Sequence, residues 1–72
     1  MTLNRKNLTN HEFKSLKNLA RVIVTSDNGK HVAVSYFLPH TTGKEIVDKQ
    51  IFLNRIDRGD LEFVKISYFV AR

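Results

Sequence analysis

The sequence predicts an α+β domain, with a short N-terminal amphipathic helix followed by four antiparallel strands in two hairpins, a small bent or barrel-like sheet. Three observations carry this reading. Thr9-Asn10-His11-Glu12 has the form of a helix capping box ahead of an apolar repeat. Asn28-Gly29 stands between two runs rich in β-branched and aromatic residues, and a second pair of apolar runs flanks Asp57-Arg58-Gly59-Asp60. At 72 residues, 42% hydrophobic and 26% charged, the chain has a globular composition and enough apolar surface for one core.

Residues 1–8 are polar and Asn-rich without periodicity, which reads as a flexible arm carrying Arg5 and Lys6. Residues 9–72 then form a single α+β domain. Thr9 and Glu12 cap the helix reciprocally, with Leu8 and Phe13 placed as its hydrophobic staple. At 100° per residue, Phe13, Leu16, Leu19 and Ala20 share one arc, while His11, Lys14, Lys17, Asn18 and Arg21 share the other. Asn7-Leu8-Thr9 is also a glycosylation sequon, for which capping is the better explanation.

The first hairpin runs from Arg21 to Leu38. A two-residue Asn28-Gly29 turn sets Ile23 against Val34 and Thr25 against Val32, with Val22, Val24, Ala33 and Ser35 on the other side. Pro39 ends the second strand, and Pro39 to Lys44 reads as a loop. Thr42-Gly43-Lys44-Glu45 would also open a helix. Yet Ile46, Val47, Ile51, Phe52, Leu53 and Ile56 scatter around a helix, whereas Val47, Ile51 and Leu53 share one side of a strand. A four-residue turn at Asp57-Arg58-Gly59-Asp60 then pairs Arg55 with Glu62, Leu53 with Val64, Ile51 with Ile66 and Val47 with Val70.

Several function classes find no support. No apolar run reaches the roughly 18 residues of a membrane span, and the first seven residues have no apolar signal core, so a cytoplasmic protein without membrane contact is expected. The absence of Cys removes disulfides and thiolate metal sites. His11, His31 and His40 do not stand at ligand spacing, so no metal and no cofactor are expected. Ser26, Asp27 and His31 gather at the first hairpin's tip, where turn hydrogen bonding explains them and nothing supplies an oxyanion hole. Arg58-Gly59-Asp60 likewise reads as a tight turn. The protein is expected not to be an enzyme.

Charge points toward polyanions. The net charge is +5, with a pI near 9.9. Arg5, Lys6, Lys14, Lys17, Arg21 and Lys30 stand against only Glu12 and Asp27 in residues 1–31. Arg5, Lys6, Lys14, Lys17 and Arg21 are the candidate phosphate ligands, or else the solvated face of a helix. Phe52, Phe63 and Phe69 with Lys65 are the candidate base-stacking face, or else a second core layer or subunit interface. A helix followed by antiparallel strands around an Asn-Gly turn resembles the element order of the small Sm-like RNA-binding barrels, a likeness of architecture without a shared motif. The leading expectation is a non-enzymatic module that binds RNA or DNA. The alternative is a compact inhibitor or adaptor, of the kind mobile elements encode, covering an acidic protein surface. A third is a structural subunit of a homo-oligomer.

Overall fold

The computed structural model describes residues 3–67. They form β1 (His11–Ser15), β2 (Arg21–Asp27), β3 (His31–Leu38), β4 (Thr41–Asp48), α1 (Lys49–Asp57) and β5 (Leu61–Ile66). The strands make one antiparallel sheet in the order β4-β3-β2-β1-β5. Four strands follow one another as a meander. The helix then carries the chain from the β4 edge to the far edge, where β5 pairs with β1. The chain is therefore mostly a five-stranded sheet with one short helix late in the sequence, and the expected order of helix then four strands is overturned.

Where the N-terminal helix was expected, residues 11–15 are a strand. Leu16 and Leu19, counted in the helix's apolar arc, are 50% and 67% exposed. Two physical reasons decide against the helix. Asn10 and Leu19 take positive φ values of 67° and 61°, which no helix interior accommodates. In addition, β1 lies between β2 and β5, so the sheet satisfies both of its edges and buries Phe13 completely, more than a marginal short helix would gain alone.

The β2–β3 hairpin forms, with a shifted register. Its turn residues are Gly29 and Lys30: the Asn28 amide donates to the His31 carbonyl at 3.2 Å, and Gly29 sits at φ 91°. The Asn28 carboxamide oxygen accepts from the amides of Lys30 and His31, holding the turn one residue beyond the Asn-Gly position. An irregularity between Val24 and Ser26 shifts the pairing again, so Ile23 opposes Ser35 and Val24 opposes Val34. This slip sends Val22, Val24, Val32 and Val34 together into the core.

The expected Pro39 to Lys44 loop is two residues long, because Leu38 already pairs with Thr41. Within β4, Gly43 opposes Tyr36, whose ring lies across it so closely that an added Cβ would meet Cε2 at 2.5 Å. The expected second hairpin does not form. Asp48 ends β4 and caps α1, accepting from the amides of Gln50 (2.9 Å) and Ile51 (3.2 Å). Lys49, Phe52, Leu53 and Ile56 then recur at helical spacing, the first two buried and the others packed on the core. Gly59, at φ 85°, ends the helix: its amide donates to Ile56, and that of Asp60 to Arg55. Arg55–Glu62, Leu53–Val64 and Ile51–Ile66 are therefore not cross-strand pairs. Val70 lies outside the described residues.

The core gathers around Phe13, which meets Phe52 edge to face at 5.3 Å. His11 is buried beside Phe13 and Phe63. Its Nε2 accepts from the Asn4 amide at 2.9 Å, which leaves Nδ1 to carry the proton toward the Thr9 carbonyl. The described part of the expected arm is held against the domain: Leu8 is fully buried, and the Lys6 carbonyl accepts from Lys49 Nζ at 3.0 Å. Among the described residues no helix is long and apolar enough to cross a membrane.

Candidate nucleic-acid interface

Cross-strand partners share one face of a sheet, so the register shows which side chains lie together. On the face away from the Phe13 core, Lys14 opposes Arg21, Arg21 opposes Phe37 and Phe37 opposes Thr42. The next row runs through Glu12, Ile23, Ser35 and Lys44. Lys14, Arg21, Phe37 and Lys44 are all exposed.

Arg21 organises this face. Its Nε lies 3.0 Å from Glu12 Oε2 and its Nη2 lies 3.1 Å from Oε1, a two-point pairing with a carboxylate only 9% exposed. The hydrogen bonds to Glu12, joined by its charge, raise the Arg21 pKa and keep the guanidinium charged. The guanidinium carbon stands 5.9 Å from the centre of the Phe37 ring, which is 39% exposed. Glu12 thus fixes a cation beside an exposed ring, with Lys14 and Lys44 on either side. With strands about 4.8 Å apart, β1 to β4 spans roughly 14 Å, room for a short stretch of single-stranded nucleic acid laid across the strands.

Ion pairing determines which cations remain to meet a ligand. Among the described residues Arg5 pairs with Asp57, Arg21 with Glu12, Lys49 with Asp27 and Arg58 with Asp60. Lys6, Lys14, Lys17, Lys30, Lys44, Arg55 and Lys65 stand outside these pairs.

The candidate phosphate ligands are therefore dispersed. Lys14 and Arg21 are neighbours, as cross-strand partners rather than as one helix face. Arg5 makes two hydrogen bonds to Asp57, which raise its pKa and lower that of Asp57. Lys6 is exposed near the helix start, and Lys17 lies in the β1–β2 turn. The stacking candidates are not brought to one exposed face. Phe52 is 1% exposed in the core, and Phe63 packs against Phe13 and His11. Exposed Lys65 opposes Glu12 from β5, and Phe69 lies outside the described residues. At the hairpin tip, Asp27 is occupied by the amides of Leu8 and Gly29 and by Lys49, while His31 opposes Asp48.

Sequence reasoning passed over Phe37 and Lys44. Their signal was the alternation Val34, Tyr36, Leu38, which turns Ser35 and Phe37 to the other face, and it was obscured when Lys44 was assigned to a loop. Compared with known proteins, the chain matches no family model, no curated protein and no solved structure.

Proposed function

We propose that the protein is a non-enzymatic module that binds single-stranded nucleic acid in the cytoplasm, across the sheet face carrying Lys14, Arg21, Phe37 and Lys44. The observation that carries this reading is the guanidinium of Arg21, anchored by Glu12 and set beside the exposed Phe37 ring. Rings and guanidinium planes stack on bases, and flanking lysines meet phosphates on either side. The cation surplus outside ion pairs supports the same reading, since neutralising phosphates releases counterions.

The test is an NMR titration of the labelled protein with a single-stranded oligonucleotide and its duplex. The expected amide shifts fall on β2, β3 and β4 around Arg21, Phe37 and Lys44, and are larger with the single strand. Shifts confined to α1 and the β1–β2 turn, or none, would contradict the proposal.

A further inference from the structure

The two edges of the sheet differ. β5 pairs with β1 through an interruption at Val64, since Lys65 opposes Glu12 while Phe63 opposes the next residue, Phe13. A bulge of that kind twists an edge and blunts it against further pairing. β4 has no such break: Thr41 to Asp48 pair with β3 in one continuous register, and among the described residues no strand lies on the other side of β4. The backbone groups of that open side can be assigned. Lys49 continues the register beyond Asp48, and its amide donates to the Lys30 carbonyl at 2.8 Å. Along an antiparallel ladder every second residue bonds to the same neighbour, so Thr41, Gly43, Glu45 and Val47 bond to β3. The amides and carbonyls of Thr42, Lys44, Ile46 and Asp48 therefore point outward, with their side chains on the sheet face away from buried Val47. Ile46 on that face is 74% exposed, more than any other exposed large apolar residue described.

A second copy of β4 is complementary to this edge. When a strand pairs antiparallel with its own copy about a two-fold axis, one residue opposes itself and residues equally spaced on either side of it oppose each other. Centred on Lys44 or on Glu45, the pairing sets like charges together, and centred on Gly43 it joins no opposite charges. Centred on Ile46, it sets Ile46 against Ile46 and Lys44 against Asp48 on both sides of the axis. Both charged groups are free for this. Lys44 belongs to no ion pair among the described residues, and Asp48 caps α1 through Oδ1 alone, which leaves Oδ2 for a partner. Aliphatic pairs and opposite charges directly across a ladder both stabilise it.

We infer that two copies of the chain pair through β4 in the register centred on Ile46, so that one sheet runs through both. The backbone ladder and the Ile46 pair supply the attraction, and the two Lys44 to Asp48 pairs select the register. Exposed ion pairs of this kind are weak, so Lys44 can still turn to a phosphate. The axis is normal to the sheet, which places Arg21 and Phe37 of both copies on the same side. The two Arg21 strands are then five strand spacings apart, roughly 24 Å. The inference does not rest on nucleic-acid binding, and it is tested without nucleic acid.

Sedimentation equilibrium from micromolar to near-millimolar protein gives the test. The expected result is a monomer–dimer equilibrium. Ile46→Lys, which sets two ammonium groups against each other at the axis, and Lys44→Glu, which sets glutamate against Asp48, each raise the dimer dissociation constant about tenfold or more. Their circular dichroism spectra stay unchanged, because both side chains are exposed. The register is read separately. The chain has no cysteine, so Ile46→Cys places one thiol at the axis, where oxidation cross-links two copies, whereas Thr42→Cys places its thiol four residues from it and cross-links far less. The mass of a single chain at every concentration, a dimer unaffected by Ile46→Lys, or equal cross-linking of the two cysteine variants would overturn the inference.

Discussion

Asp27 Oδ2 lies 2.8 Å from Lys49 Nζ, with the two side chains 1% and 11% exposed. The pair joins three parts of the chain. Asp27 also accepts from the amides of Leu8 and Gly29, both at 2.8 Å, and Lys49 also donates to the Lys6 carbonyl at 3.0 Å. The N-terminal segment, the β2–β3 turn and the start of α1 are thereby fastened at one buried point.

Removing one partner of this pair leaves the other charge buried and unmatched. Lys49→Met is expected to lower stability by about 3–5 kcal/mol in urea unfolding, and adding Asp27→Asn to that variant should restore part of the loss. A double variant less stable than Lys49→Met would rule out this role for the pair.

The same carboxylate sets a pH dependence. Burial pushes the Asp27 pKa up, but the hydrogen bond from Lys49, those from the Leu8 and Gly29 amides and the lysine's charge together bring it below the ordinary carboxylate value. A group lowered in the folded state contributes stability above its unfolded pKa, about 3.9, and loses it as pH falls through the folded value. Stability should therefore drop below about pH 4, and less steeply in Asp27→Asn. Some slope should remain, because Asp57 is lowered in the same direction by Arg5. Identical acid unfolding curves for the two proteins would count against the assignment.

Gly43 is held to glycine by Tyr36. Gly43→Ala is expected to cost about 1–3 kcal/mol through overpacking, and in a Tyr36→Ser background most of that cost should vanish. Thermal unfolding of the four proteins measures the coupling; additive effects would mean that the ring moves aside freely.

Two phenylalanines should behave oppositely. Phe52→Ala, in the core, is expected to cost about 3–5 kcal/mol, whereas Phe37→Ala should change stability by less than about 1 kcal/mol and reduce oligonucleotide binding. Stability lost in Phe37→Ala with binding retained would transfer that ring from the interface to the core.

How far these features were legible depended on where the periodicity was interrupted. The runs around Asn28-Gly29 are long and β-branched, so β2 and β3 stand out; the turn's side-chain hydrogen bonds then moved the register by one. In β1, His11, Glu12 and Phe13 are all buried and only Lys14 is exposed, so the five residues show no strand alternation, and the leucines of the following turn overlay a helical spacing on them. In α1 the signal was diluted by Ile46 and Val47, which belong to β4. Asp48 as the cap and Gly59 as the terminator were the local clues to that helix. Lys14 and Arg21 stood out by charge alone, but their pairing with Phe37 and Lys44 depends on long-range register, which no local window contains.

Fluorescence anisotropy of labelled single- and double-stranded RNA and DNA across salt concentrations reads nucleic-acid binding at the sheet face around Arg21 directly. The expected result is tight binding to single strands that falls log-linearly with salt, with the slope smaller by about one for each lysine removed in Lys14→Ala and Lys44→Ala. Weak, uniform binding to all four nucleic acids near physiological salt, or variants with unchanged slope and affinity, would contradict it.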